Sequence, residues 1–264
     1  MDDFVVLKQF IERTLGMQCS NYKEEYIRRR ILSRMRSSGN ETFENYLRYL
    51  QVTPAELENL RNALTINVTE FFRDHEVYEF IKKDILPSLF RQRKKLRIWC
   101  AGCSTGEEPY SLAMILSELM AQDPGISARI FATDIDRIVL KKAKEGIFTQ
   151  KAIVKLSETQ VNRHFTRLPD GNFQVKPYLK DLIRFQSHDL MSGVPVSRWL
   201  DLIICRNVTI YFTEKQKDEL AKMFHGSLVS GGFYIMGKTE FLGRAADGLF
   251  APYDSLQKIF KRKD

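Results

Sequence analysis

The sequence predicts an all-α N-terminal region followed by an α/β region. The latter is a mostly parallel, doubly wound sheet with a small antiparallel insertion. Three observations carry this. Apolar residues recur at helical spacing from the N-terminus to about Arg93. From Lys95 onward, short apolar runs alternate with helical patterns, as parallel strands joined by helical crossovers do. Between about Phe165 and Leu190 the rhythm changes: Asp170-Gly171 separates Phe165–Leu168 from Phe173–Val175, a hairpin signal. The expected division is a helical domain over 1–75, a helical linker over 76–94, and the α/β domain over 95–264, with a β-subdomain at about 165–187.

Each element has its own signal. Phe4, Leu7, Ile11 and Leu15 mark a first helix; Ile27, Ile31 and Met35 form the stripe of a second, from about Lys23 to Met35. Thr53-Pro54-Ala55-Glu56 reads as a capping box with proline at the first helical position, ahead of Leu57, Leu60 and Leu64. A further helix is expected from His75 to Ile85. Leu96–Ala101 reads as a buried strand, Gly102–Gly106 as a tight loop and Pro109–Met120 as a helix. Ala128–Asp134 is a second strand ending in an acid; Val139–Ala143 is helical and Leu200–Cys205 another strand. A helix from about Glu214 to Leu228 is expected to stop at Gly231-Gly232, before a strand Phe233–Met236.

Composition narrows the function classes. Hydrophobic residues make up 44% and charged residues 28% of 264, an ordinary globular balance. No apolar run approaches the ~18 residues of a membrane span, and the opening MDDFVVLKQF resembles no signal peptide, so a cytoplasmic location without membrane insertion is expected. The net charge of +8 favours an acidic partner: nucleic acid, anionic lipid or a carboxylate-rich protein surface. Four cysteines in a chain this long make no disulfide scaffold.

The richest chemistry lies in the run from Ile98 to Ser111, where a strand ends, the backbone turns through Gly102 and Gly106, and a helix begins. Glycines let a ligand approach the main chain, and a helix start offers free N–H groups. The spacing is not the G-x-G-x-x-G of dinucleotide enzymes, and Glu107 and Glu108 would repel a phosphate but help hold a cation. A methyl donor carrying a sulfonium suits such a loop, with Asp134 placed to accept from ribose hydroxyls; a turn kept only for packing remains the alternative. Gly102-Cys103-Ser104-Thr105-Gly106 also matches a nucleophile elbow, but it follows the first strong strand and His225 falls within a helix. Cys100 and Cys103 read as small semi-buried residues rather than a redox pair.

Four stretches, in order and spacing, resemble the chemoreceptor glutamate methyltransferases of the CheR type: Asn67–Arg73 (NVTEFFR), Ile98–Ser111 (IWCAGCSTGEEPYS), Ala132–Asp136 (ATDID) and Cys205–Phe212 (CRNVTIYF). The resemblance covers nearly the whole chain. It implies a Rossmann-like class I S-adenosylmethionine (SAM) methyltransferase domain behind a helical domain, with S-adenosyl-L-homocysteine as product. It implies that Asn67, Thr69 and Arg73 border the cofactor and the substrate carboxylate, and that Ala101, Glu107 and Asp134 hold the cofactor. Asp189-Leu190 would lie near the adenine, where the family usually has Asn-Leu, and Arg206-Asn207 would close the site. Arg73 and Tyr211 are the expected catalytic pair.

The implied substrate is the cytoplasmic helical bundle of chemotaxis receptors, with a receptor C-terminal peptide docking on the β-subdomain in some members. Nucleic acid is not an expected partner. A glutamate carboxylate, with a pKa near ~4.3, is already ionised and needs no general base. Arg28, Arg29, Arg30, Arg34 and Arg36 crowd the second helix. Beside Glu24 and Glu25 they read either as a solvated face or as a docking surface, and the resemblance favours docking through Arg29, Arg30, Arg34 and Arg36.

Overall fold

The computed structural model describes residues 2–65, 68–246 and 248–264. The chain forms two compact units, one of the residues before Val68 together with Tyr211–Gln216, the other of Val68–Ile210 and Lys217–Asp264.

The first unit holds α1 (Asp3–Leu15), α2 (Glu24–Ser37), α3 (Phe43–Val52) and α4 (Pro54–Leu64). Asp2 caps α1 by accepting from the Phe4 N–H, and Gly16, at φ 68°, ends it in the left-handed conformation that glycine adopts without strain. Phe4, Leu7 and Ile11 pack with Ile27, Ile31 and Met35, the stripes expected from spacing. The capping box does not form. Thr53 makes no side-chain cap, and Glu56 turns inward to accept Arg34 (3.0 and 2.6 Å) and the Tyr46 hydroxyl (2.8 Å). A buried carboxylate gains more from a bidentate guanidinium than from its own helix start. Tyr211–Gln216 joins this unit through the Lys23 N–H to the Tyr211 carbonyl (3.0 Å) and the Thr213 N–H to the Asn21 carbonyl (3.1 Å).

The second unit opens with α5 (His75–Phe80), a π-helical turn (Ile81–Ile85) and α6 (Leu86–Gln92). Pro87, which has no N–H for the helical ladder, comes two residues after the end of the widened turn. Val77, Tyr78, Ile81, Ile85, Leu86, Leu89 and Phe90 belong to the core of the sheet, so this stretch is part of that unit rather than a linker over 76–94.

The remaining elements are β1 (Lys95–Ala101), α7 (Glu107–Gln122), β2 (Ser127–Asp134), α8 (Arg137–Glu145), β3 (Ile147–Phe148), α9 (Glu158–His164), β4 (Phe165–Arg167), β5 (Phe173–Val175), α10 (Pro177–Lys180), β6 (Ile183–Ser187), β7 (Leu200–Cys205), α11 (Glu214–Ser227), β8 (Leu228–Met236), β9 (Phe250–Asp254) and β10 (Ile259–Arg262). The main sheet runs β6-β2-β1-β7-β8-β10-β9, parallel from β6 to β8 and antiparallel at β10 and β9. From β1 the chain builds outward through β2 and β6 on one side, then returns to β7 on the other. Open α/β sheets bind ligands at such a switch, beyond the carboxyl ends of the strands.

Two expectations change, and one hairpin is added. The small sheet is β3-β5-β4, recruiting Ile147–Phe148, whereas Ile183–Ser187 pairs with β2 in the main sheet; the subdomain therefore does not run on to 187. Gly231 and Gly232 lie inside β8 and mark a register shift against β7 rather than a stop. A Cβ on Gly232 would meet the Val229 and Asp201 carbonyls at 3.0 and 3.1 Å. The hairpin β9–β10, which extends the sheet, was not read from the sequence at all. No described helix is long and apolar enough to cross a membrane.

Candidate cofactor site

At the carboxyl end of β1, buried Ala101 leads into a loop bound to the neighbouring strand: the N–H groups of Gly102 and Cys103 both donate to the Thr133 carbonyl, at 2.8 and 2.9 Å. Gly102 sits at φ 82°, and a Cβ there would come within 2.5 Å of Val208, so only glycine allows this approach. Asp134 ties the loop from the other side. Its carboxylate accepts the Ser104 N–H (2.8 Å) and the Asp136 N–H (3.0 Å), each on a different oxygen. Both oxygens thus keep acceptor capacity for a ligand while fixing the loop.

Three carboxyls around this loop are largely withdrawn from solvent. Glu107, 7% exposed, accepts from the Thr105 hydroxyl at 2.7 Å, and burial pushes its carboxyl above the usual range. Burial likewise raises Asp134, only partly offset by its backbone donors. Glu108 is pushed up to about 7, first by burial, then against the pull of Arg206 and with the push of Glu240. Carboxyls raised by desolvation favour an arriving cation, which restores the charged form.

The Thr69–Arg73 segment is held to α7 through Ser111, whose hydroxyl accepts the Phe72 N–H (2.9 Å) and donates to the Glu107 carbonyl (2.7 Å). Thr69 and Arg73 are half-buried. The Arg73 guanidinium donates to the Val68 carbonyl at 3.1 Å and forms no ion pair among the described residues, so most of its donors remain available. Phe72 and Asp74 both take positive φ, 50° and 55°, as do Ser104 (47°) and Asn207 (60°). Trp199 and Lys258 are the other two described non-glycine residues at positive φ, so four of the six fall in the segments that line this region.

Arg206, buried, follows β7 and spans the site: it donates to the Arg73 carbonyl (3.0 Å), pairs with Asp74, and lies 3.7 Å from Glu108. Asp189, exposed, caps the 3₁₀ turn Leu190–Ser192 by accepting the Met191 N–H at 2.8 Å, and Leu190 is half-buried in that turn. The preceding residue, His188, donates its N–H to the Asp134 carbonyl at 3.0 Å, which anchors the Asp189-Leu190 turn to the end of β2.

Arg73, Ala101, Glu107, Asp134, Asp189, Leu190, Arg206 and Asn207 thus all belong to the sheet unit. Asn67 lies outside the described residues. Tyr211 belongs to the helical unit, where its ring packs against Tyr26 at a tilt of 36°, with centroids 4.7 Å apart. On α2, Arg29 and Arg36 are exposed, Arg30 lies 5.6 Å over the Tyr26 ring, and Arg34 is committed to Glu56. Spacing had grouped Arg34 with the docking residues; its buried partner removes it from a free cationic face. The residue missed by sequence reasoning is Glu240. It is 2% exposed and accepts from four consecutive or nearby backbone N–H groups and a hydroxyl. Its only sequence signal is an acid set just beyond the apolar end of β8.

The alternative chemistries fail on geometry. The Ser104 hydroxyl is buried without a hydrogen-bond partner, so no base activates it, and His225 instead bonds the Lys263 carbonyl at 3.0 Å. Cys100 and Cys103 are buried free thiols pushed well up by burial. Among the described residues no cluster could hold a metal ion. An acidic, desolvated loop with an orphaned hydroxyl and no lysine or arginine between Gly102 and Gly106 fits a sulfonium and ammonium ligand rather than a phosphate.

Comparison with known proteins agrees. The family described as CheR methyltransferase, SAM binding domain, matches residues 67–257, and CheR methyltransferase, all-alpha domain, matches residues 2–65. A chemotaxis protein methyltransferase of Listeria monocytogenes is 35% identical over 249 residues, covering 93% of this chain and 92% of its own. That of Borreliella burgdorferi is 34% identical over 248 residues, covering 90% and 88%. Chemotaxis protein methyltransferase 2 of Vibrio cholerae is 31% identical over 248 residues, covering 92% and 86%.

Proposed function

The chain belongs to the CheR family of SAM-dependent methyltransferases, and from that premise we propose that it esterifies glutamate side chains on the cytoplasmic helical bundle of chemotaxis receptors. The observation that carries the receptor reading is the presence, in one chain, of a desolvated acidic cofactor loop and a helical unit whose α2 exposes Arg28, Arg29 and Arg36. A surface of this charge suits glutamate-rich helices.

Glu107 and Asp134 would hold the cofactor, with Asp189-Leu190 and Arg206-Asn207 along its edges. When bound, SAM supplies an electrophilic methyl group on a sulfonium. The glutamate nucleophile is anionic at neutral pH, so the protein's task is to aim it. Arg73, with donors to spare, orients the carboxylate by paired hydrogen bonds. Too tight a pair would stabilise the ground state, so the guanidinium aims rather than clamps. Tyr211 is the second residue assigned to the reacting groups. Charge is lost along the reaction, and the desolvation that raises Glu107 and Asp134 is an environment that favours such a loss. In the small sheet β4 is an edge strand with Thr166 and Arg167 exposed, which supports docking of an extended receptor peptide there.

The test is transfer of labelled methyl from SAM to receptor cytoplasmic fragments, with an RNA control and an Arg73→Ala variant. Base-labile label on receptor, reduced about a hundredfold or more in the variant, is expected for loss of an aiming group. Label on RNA alone would overturn the receptor assignment and leave the methyltransferase standing.

A further inference from the structure

We infer that Glu240 is a positioning residue for catalysis: it sets the backbone of the Arg206–Thr209 loop and thereby the placement of Asn207 at the cofactor. The inference rests on the assignment of Asn207 to the cofactor edge made above.

The geometry is that of a hub. One carboxylate oxygen of Glu240 accepts the N–H groups of Val208 (3.0 Å) and Thr209 (2.7 Å) and the Thr209 hydroxyl (2.7 Å). The other accepts the N–H groups of Asn207 (2.8 Å) and Gly237 (2.6 Å). Three successive amides of the loop after β7 therefore converge on one side chain, which is 2% exposed. Asn207 sits at φ 60°, in the left-handed region that asparagine tolerates better than most residues, and the three amides bonded to Glu240 hold the turn in that one conformation.

Gly237 shows that the fold is built around the hub. A Cβ there would lie 2.7 Å from the Glu240 carboxylate, 2.9 Å from the Asn207 nitrogen and 3.0 Å from the Asn207 side-chain amide. All five groups facing the carboxylate donate. A glutamine at 240 must turn its NH₂ against two donors or against three, so the isosteric substitution is not a conservative one here. Glu240 acts through Asn207 and the turn rather than by touching substrate or cofactor.

Cofactor dissociation constants, cofactor KM and kcat would be measured for wild type, Glu240→Gln, Glu240→Asp and Asn207→Ala, at a temperature where circular dichroism and melting curves show each folded. Glu240→Gln is expected to raise the cofactor dissociation constant and KM about tenfold, with kcat changing less. Glu240→Asp, which keeps the charge and two acceptor oxygens on a shorter stem, is expected to recover part of that loss. Gly237→Ala, whose Cβ would press on the carboxylate and on Asn207 alike, is also expected to raise KM, and Glu240→Asp serves if Glu240→Gln does not fold. A lowered melting temperature with unchanged cofactor affinity, KM and kcat would overturn the inference and leave Glu240 a stabilising residue only. Unchanged affinity in Asn207→Ala would overturn the assignment of Asn207 and the inference with it. Loss in Asn207→Ala with none in Glu240→Gln overturns the inference alone.

Discussion

Two buried glutamates face arginines in this protein, and their surroundings treat them oppositely. In the helical unit Glu56 receives Arg34 in two short bonds, with Tyr46 and Asn59 completing its shell. Burial works to raise its carboxyl, but these donors outweigh it and hold the group below the ordinary 4.5. In the sheet unit Glu108 has Arg206 only at 3.7 Å, because that guanidinium is already used by Asp74 and the Arg73 carbonyl, and burial prevails, to about 7. A scaffold closes its buried charges with local donors. A site leaves them short of partners, and so ready for a charged ligand.

The largest expected effect breaks the closed pair. Arg34→Ala leaves Glu56 buried without its guanidinium and should cost about 3 to 4 kcal/mol in denaturant unfolding, while cofactor affinity stays the same. The sign with pH follows from the lowered carboxyl. Its contribution is full above the ordinary carboxylate range and is lost as pH falls through and below 4.5. The variant should therefore lose this part of the acid-side decline.

Glu108 should show the opposite slope. With its carboxyl raised from 4.5 to about 7, the folded state binds a proton that the unfolded chain has released between those values. That protonation favours the fold at low pH and the advantage fades as pH rises towards 7. Glu108→Gln should remove the slope, so that wild type minus variant stability declines by about 2 kcal/mol from pH 4.5 to 7. A parallel pair of stability curves would show that Glu108 is better solvated than its surroundings imply.

A smaller effect sharpens the site half of the contrast. Glu107→Gln keeps the bond from Thr105 but removes the charge, and should weaken cofactor binding about tenfold, near 1.4 kcal/mol, with little change in melting temperature. Calorimetric titration with SAM checks it. Equal affinity would mean that the acidic character of the loop does not select its ligand.

The same contrast explains what could be read from the chain. Local rules were legible: helical stripes such as Phe4-Leu7-Ile11, the strand Leu200–Cys205, the turn at Asp170-Gly171, and the glycine loop after β1 all appear where spacing puts them. What depended on long-range partners was not. Thr53 and Glu56 have the capping-box spacing, yet Glu56 is claimed by Arg34, 22 residues earlier. Glu240 meets Asn207 across 33 residues, with nothing in its neighbours to announce a hub. Ile183–Ser187 looked continuous with the hairpin before it, because strand identity does not reveal which sheet a strand joins. Of the site, the residue types on the loop were readable; the desolvation that raises Glu107, Glu108 and Asp134 exists only once α7 packs.

Asp189 gives the smallest expected effect and tests where that legibility ends. The resemblance gives asparagine as the usual residue here, and aspartate lacks its amide donor. In the fold the side chain is spent locally, its Oδ1 accepting the Met191 N–H at 2.8 Å to cap the turn that carries Leu190. Asparagine caps a turn about as well as aspartate. The backbone of the turn is fixed independently through the His188 N–H on the Asp134 carbonyl. Asp189→Asn should therefore shift stability by less than about 0.5 kcal/mol and cofactor affinity by less than about twofold. A gain in affinity well beyond that would show that an amide donor does reach the ligand, and that Asp189 belongs with the under-partnered carboxyls rather than with the closed ones.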